Sequence, residues 1–358
     1  MKKITKYQAV KNYILTRIKS GEYLPGRRIP NEKELSEALG VSSITVRKAM
    51  SELAGEGLIT RIKGKGSYIS QPAESGGDAA PAGRLIAFLL SCQDINDSSL
   101  MKIMIGIQRC LSTEGYSLIV ENPGDDPVKE LQIIKRLMEN QVAGFIIFSA
   151  NPELSLENYV YLRSRNIPFV LIDRWAENFP SNSVACNNHD GAYSAIEYLI
   201  GLKHKRIGFA FDKPYLSSEK ERYEGYCDAM RFASLKTDSS MLFKNEAADF
   251  ARMKNAIKNR EITAVFAVND LRGLGLVNQL TDQGIRIPED VSVMGFDDYE
   301  TSRMAKVSLS TVRQHFEEEG YYSARLLLDI MAGSQLQYSR ILIGTQLVIR
   351  SSTGSPQP

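Results

Sequence analysis

The run Gly40-Val41-Ser42-Ser43-Ile44-Thr45-Val46-Arg47-Lys48-Ala49-Met50 carries two patterns at once. Val46, Ala49, Met50 and Leu53 recur at helical spacing and form one apolar stripe, so Ile44, Arg47, Lys48 and Ser51 are forced onto the opposite face. Ser42 or Ser43 stands where a helix N-cap is wanted. Upstream, Asn31 with Glu34 three residues on reads as a capping box that opens a shorter helix, with Leu35, Ala38 and Leu39 on its buried side and Gly40 at its end. Before it, Tyr7, Val10, Ile14 and Ile18 mark a first helix that Gly21 and Pro25-Gly26 terminate. Downstream, residues 58–62 and 67–70 are short strand-like runs joined through Lys63-Gly64-Lys65-Gly66. Three helices followed by a basic ribbon, with a cationic helix face left free, imply contact with duplex DNA at two depths.

Charge along the chain agrees. Residues 1 to 71 hold fourteen Lys and Arg against six Asp and Glu, while the whole chain carries only +2, so a basic module is attached to an acidic body. Such a module displaces condensed counterions from phosphates. At 358 residues the chain exceeds one core. The expected division is a head at 1–70, a flexible linker at 71–83 (QPAESGGDAAPAG, without large apolar residues) and a body at 84–358. No apolar run is long enough to span a bilayer and no signal segment precedes the first helix, which reads as a cytoplasmic protein without membrane contact. Cys92, Cys110, Cys186 and Cys227, like His189, His204 and His315, are scattered without ligand spacing, so neither metal nor cofactor is expected.

From Arg84 onward, apolar runs at 85–90, 116–121, 143–148, 168–172, 206–211, 263–268 and 291–296 alternate with amphipathic helices, the pattern of parallel sheets covered on both faces. Their carboxyl ends are polar: Ser91-Cys92-Gln93-Asp94, Asp173-Arg174, Asn269-Asp270 and Asp297-Asp298. Ligands of such folds bind outside those ends.

Two resemblances cover nearly all of the chain. Gly21-Glu22-Tyr23-Leu24-Pro25-Gly26, Ile29-Pro30-Asn31-Glu32-x-Glu34-Leu35, Gly40-Val41-Ser42, Thr45-Val46-Arg47 and Gly64-x-Gly66 make the head resemble the GntR family of winged helix-turn-helix regulators, and Lys6-Tyr7-Gln8 resembles its arabinose-repressor subgroup. In the body, Ile167 to Arg174, Asn188-x-Asp190-Gly191, Arg222-Tyr223-Glu224-Gly225-Tyr226, Ala264 to Asp270, Val291 to Asp298, Leu309 to Gln314 and Arg350-Ser351-Ser352-Thr353 are similar to motifs of LacI-type effector domains, of the periplasmic-binding-protein-like type I fold. The resemblance implies a body of two subdomains, each with a parallel sheet and helices on both faces, with chain crossings near 187, 302–307 and 334–339, and it implies homodimers. Ser43 stands where related heads usually carry Arg, Asn187-Asn188 replaces the usual Asp-Asn, and Ser98-Ser99 stands where sugar binders often have aromatic residues.

The chemistry follows from side-chain type. Arg47 has the fork that pairs with guanine O6 and N7, or alternatively grips phosphate. Lys6, Tyr7, Ser42, Ser43 and Thr45 carry donors for phosphate oxygens or simple capping roles. Glu32 is either a helix-dipole partner or a base contact. Lys63, Gly64, Lys65 and Gly66 suit a wing tip in the minor groove, or a plain hairpin. In the body, Arg174, Arg222, Asn188, Asn269 and Asp297 offer the donors and acceptors a polyhydroxyl ligand needs, unless they pair as structural salt bridges, and the resemblance implies that Arg174, Arg222, Asn269, Asp297 and Gln314 fall on ligand-contacting positions. Trp175, the one tryptophan, would either stack on a sugar ring or sit in the core. No G-x-S-x-G, P-loop, H-E-x-x-H or dinucleotide fingerprint is present, so no catalytic residues are expected. The expectation is a transcription regulator, a repressor of carbohydrate-use genes that leaves operator DNA when it binds a small sugar such as arabinose or another pentose or hexose. The alternatives are a sugar-binding receptor without DNA function and a sugar-processing enzyme.

Overall fold

The computed structural model describes residues 6–20, 22–24, 26–55, 58–62, 66–69, 84–91, 98–334 and 338–357. The wing-tip residues Lys63, Gly64 and Lys65 and the expected linker 71–83 lie outside them.

The head comprises α1 (Lys6–Lys19), α2 (Glu32–Leu39), α3 (Ser43–Gly55) and an antiparallel pair, β1 (Ile59–Ile62) with β2 (Gly66–Ile69). The Asn31 side chain accepts from the Lys33 and Glu34 backbone N–H groups at 2.9 and 3.0 Å, and the Glu34 carboxylate accepts from the Asn31 N–H at 2.7 Å, completing the capping box. Gly40 closes α2 at φ 62°, a left-handed conformation that glycine adopts without strain. Val46, Ala49, Met50 and Leu53 bury against Val10, Ile14 and Leu35, so the apolar stripe read from sequence is the core of the head.

The body begins with β3 (Leu85–Leu90), α4 (Ser98–Thr113), β4 (Ser117–Glu121), α5 (Pro127–Glu139), β5 (Gly144–Phe148), α6 (Leu156–Ser164), β6 (Phe169–Ile172) and β7 (Ser183–Cys186). It continues through α7 (Asn188–Gly201), β8 (Ile207–Ala210), α8 (Ser217–Phe232), β9 (Leu242–Phe243), α9 (Ala247–Lys258), β10 (Ala264–Ala267), α10 (Asp270–Asp282), β11 (Ser292–Met294) and α11 (Glu300–Met304). The last elements are β12 (Thr311–Arg313), α12 (Phe316–Met331), β13 (Arg340–Ile343) and β14 (Gln346–Val348).

Two parallel sheets result, ordered β13-β7-β6-β5-β3-β4 and β11-β10-β8-β9. Alternation of side chains explains their unbroken apolar sequences. Ala87, Leu89, Phe145 and Ile147 pack on one side of the first sheet, and Ile86, Phe88, Leu90 and Ile146 on the other. In the second, Phe209 and Phe266 face one layer while Ala210 and Val265 face the other. On the first subdomain α4 and α12 cross with backbones in contact. A Cβ on Gly106 would lie 1.9 Å from the Glu317 carbonyl oxygen, and one on Gly320 2.1 Å from that of Ile103.

The sheet order moves two of the expected crossings. Residues 302–307 lie wholly on the second subdomain, where Ser302 Oγ donates to Asp270 and the Ser302 carbonyl accepts from Leu309 N. Residues 334–339 join α12 to β13, which both belong to the first subdomain. The chain instead passes between the sheets after Cys186, between Arg313 and Phe316, and between Ile343 and Gln346, where β12 and β14 pair antiparallel.

Candidate functional sites

On the head, the polar face of α3 is open: Ile44 is 78% exposed and the Arg47 side chain 64%. Ser42 caps α3 through Thr45 N at 3.3 Å and its hydroxyl lies 2.8 Å from that of Thr45, so these two hydroxyls are engaged with each other at the helix start. Ser43 and Lys6 are exposed. Tyr7 is half-buried, with Lys48 Nζ 4.4 Å from its ring centre. Gly66 takes φ 114° with the Arg28 guanidinium against it. Glu32 is paired rather than free: Oε2 accepts from Arg47 Nε at 3.0 Å and Oε1 from Arg61 Nη2 at 2.5 Å. Arg61 escaped the sequence reading. Its only signal is a polar position in the alternating strand Ile59-Thr60-Arg61-Ile62.

In the body, the chain passages bring Asn188, Arg222, Asp297 and Gln314 into one buried cluster. Arg222, 5% exposed, donates from Nε to Asn188 Oδ1 at 2.8 Å and from Nη1 to the Val268 carbonyl at 2.7 Å. Its Nη1 also lies 3.3 Å from Asp297 Oδ1, and its plane covers Phe296 at 3.8 Å. Gln314 Nε2 donates to Asp297 Oδ1 at 2.5 Å, while Gln314 Oε1 is buried without a partner. Burial pushes the Asp297 carboxyl up to about 7, with Arg222 pulling the other way. Asp297 is held at φ 120° and Asp173 at φ 67°, so both sit on strained backbone that aims their side chains.

Glu319, from the first turn of α12, is a member that the sequence did not reveal. It is fully buried, neither carboxylate oxygen has a partner, and burial together with Asp173 lifts its carboxyl well above the ordinary range. On sequence it is one of three consecutive glutamates, and only packing selects it.

The remaining expected residues take other positions. Arg174 pairs with Asp173 at 2.9 Å and leans over Phe148, reaching the Ser149 carbonyl at 3.4 Å. Asn269 is the N-cap of α10, accepting from Arg272 N at 2.7 Å. Trp175 is 8% exposed with the Arg340 guanidinium 3.6 Å over its ring, so it forms part of the wall instead of offering an open face to a ring. Next to Arg174, an open cavity of about 110 Å³ is lined by Ser91, Glu130, Ser149 and Asn151 from the first subdomain and by Lys213 and Tyr215 from the second. Asp298 turns away from the cluster to Arg313 at 2.6 Å and to Arg350. Burial alone would raise this carboxyl, but Arg350 and Arg313 hold it below its ordinary value.

Among the described residues no group of three or more His, Cys, Asp or Glu could hold a metal ion, and no helix is long and apolar enough to cross a membrane.

Comparison with known proteins places both halves. "Bacterial regulatory proteins, gntR family" matches residues 6–69 and "Periplasmic binding protein-like domain" matches residues 196–353. The arabinose metabolism transcriptional repressor of Geobacillus stearothermophilus is 26% identical over 365 residues, covering 98% of each chain. The HTH-type transcriptional repressor PurR of Haemophilus influenzae is 32% identical over 263 residues, 71% of this chain and 77% of that one. The solved transcriptional regulator CelR–cellobiose complex superposes with a TM-score of 0.70 at 22% identity, over 90% of this chain and all of that one.

Proposed function

As the chain belongs to the bacterial transcriptional repressors that join a gntR-family DNA-binding head to a periplasmic-binding-protein-like body, we propose that it is a repressor of carbohydrate-use genes released from its operator by a neutral sugar. α3 lies in the major groove with Arg47 at a guanine, and the sugar lies between the body's two subdomains. The observation that carries the effector reading is the buried Arg222–Asp297–Gln314–Asn188 cluster with its unpartnered Gln314 oxygen, a convergence of donors and acceptors at the carboxyl ends of parallel strands. The site sets its one buried guanidinium against the Asp173 and Asp297 carboxyls and keeps the Glu319 carboxyl neutral, a set of donors and acceptors that suits uncharged hydroxyl-rich ligands better than sugar phosphates.

The sugar changes affinity for DNA only through its different affinity for two arrangements of the subdomains. In the dimer we propose, those arrangements set the spacing of two heads. The test is a thermal-shift panel of mono- and disaccharides on the full chain, followed by operator binding with each hit. A sugar that stabilises the protein and releases a specific duplex is the expected result. Stabilisation by sugar phosphates alone would overturn the neutral-sugar reading.

A further inference from the structure

We propose that Glu32 is a positioning residue for base reading, and that Arg47, Glu32 and Arg61 act as one reading unit with two guanidinium groups. This rests on the DNA-binding reading above. The N-terminus of α2 is already satisfied by Asn31 and Glu34, so the cap does not require the Glu32 carboxylate. Both of its oxygens are turned to arginines instead, one on the recognition helix and one on the wing strand β1.

The contact on Arg47 is to Nε alone, which leaves both terminal amino groups as the fork that guanine O6 and N7 accept. Arg61 is held differently, by its terminal amino groups, with Nη2 on the Glu32 carboxylate and Nη1 3.5 Å from Ser51 Oγ on α3. Ion pairs at such exposure add little to folding. Their effect is on conformation: a side chain as exposed as Arg47 has many rotamers, and the carboxylate restricts them before DNA arrives, so less ordering cost falls on binding. A carboxylate near phosphates is itself unfavourable to DNA. Its presence there is compensated only if it improves the aim of the two arginines. A cytosine amino group read directly by Glu32 would have to share a carboxylate oxygen that already accepts from an arginine.

The experiment uses the full chain, with an operator selected from random duplexes and all single-base-pair variants of it. Wild type, Glu32→Ala, Arg47→Ala, Arg61→Ala and the Glu32→Ala/Arg47→Ala double variant are compared, with circular dichroism melts to verify the head. Glu32→Ala should lower the ratio of operator to random affinity about fivefold or more at the base pair that Arg47→Ala also relaxes. The double variant should lose more than Arg47→Ala alone, because Arg61 is also released, but less than the sum of the two single losses, and random-duplex affinity should hold or rise because a negative charge is gone. Arg61→Ala should also lower the ratio. If Glu32→Ala unfolds the head, Glu32→Gln replaces it in the same comparison. An unchanged ratio overturns the proposal, as does relaxation at a different base pair with losses that add to those of Arg47→Ala. A wild-type chain that binds operator and random duplex alike overturns the DNA-reading premise, and the proposal with it.

Discussion

Arg222 is buried with hydrogen bonds to Asn188 and to a backbone carbonyl, and with Asp297 3.3 Å away. Arg222→Ala should leave a folded, operator-binding protein that the inducing sugar no longer releases, because the differential affinity disappears while the head is untouched. Fluorescence anisotropy under sugar titration reads this, and release at the wild-type concentration would count against it. Arg47 works at the other end of the molecule. Arg47→Ala should weaken specific binding by about 1 to 3 kcal/mol and relax one base pair, which gel shifts against single-base variants would detect. Glu319 carries a pH signature. Its folded-state carboxyl lies well above the ordinary value, so the folded chain holds a proton that the unfolded chain has released, and stability falls as pH rises above about 4.3 toward the folded value. Glu319→Gln removes that dependence, so its melting temperature should gain on wild type between pH 5 and pH 8, by roughly a few degrees. Equal slopes of melting temperature against pH would refute this.

At the scale of elements, the strongly patterned segments were legible. The capping box at Asn31, the stripe Val46-Ala49-Met50-Leu53 and the long apolar strands all declare themselves through local spacing. β7, β9, β12, β13 and β14 did not, because they have between two and four residues each and hold their form through distant partners, as β13 does by pairing with β7. The contact of α4 with α12 was equally hidden. Glycine in a helix lowers propensity, and only the approach of two backbones explains Gly106 and Gly320. Gly320→Ala should therefore destabilise the first subdomain by about 1 to 3 kcal/mol. Urea unfolding would measure it, and a neutral result would mean that the helices separate without cost.

For the whole molecule, the second subdomain is tied together beside the places where the chain crosses to the first. Asp298 ties β12 through Arg313 and the closing segment through Arg350, and its carboxyl is held below the ordinary value. A depressed carboxyl adds stability above its unfolded value near 3.9 and loses it as pH falls through the folded one. Asp298→Asn should thus lower the melting temperature most above about pH 5, with the gap closing in acid. A gap independent of pH would assign the effect to packing alone. Period, charge and strand-end composition are local properties of a chain, and they were enough to show the basic head, the acidic body, the parallel α/β architecture and most of the polar residues at strand ends. Tertiary structure alone decided that Glu319 and not its neighbours enters the cleft, that Trp175 is covered by Arg340, that Glu32 joins Arg47 to Arg61, and that the chain crosses at Arg313–Phe316 and Ile343–Gln346. Each of these depends on which distant segments become neighbours, a relation that no local spacing encodes.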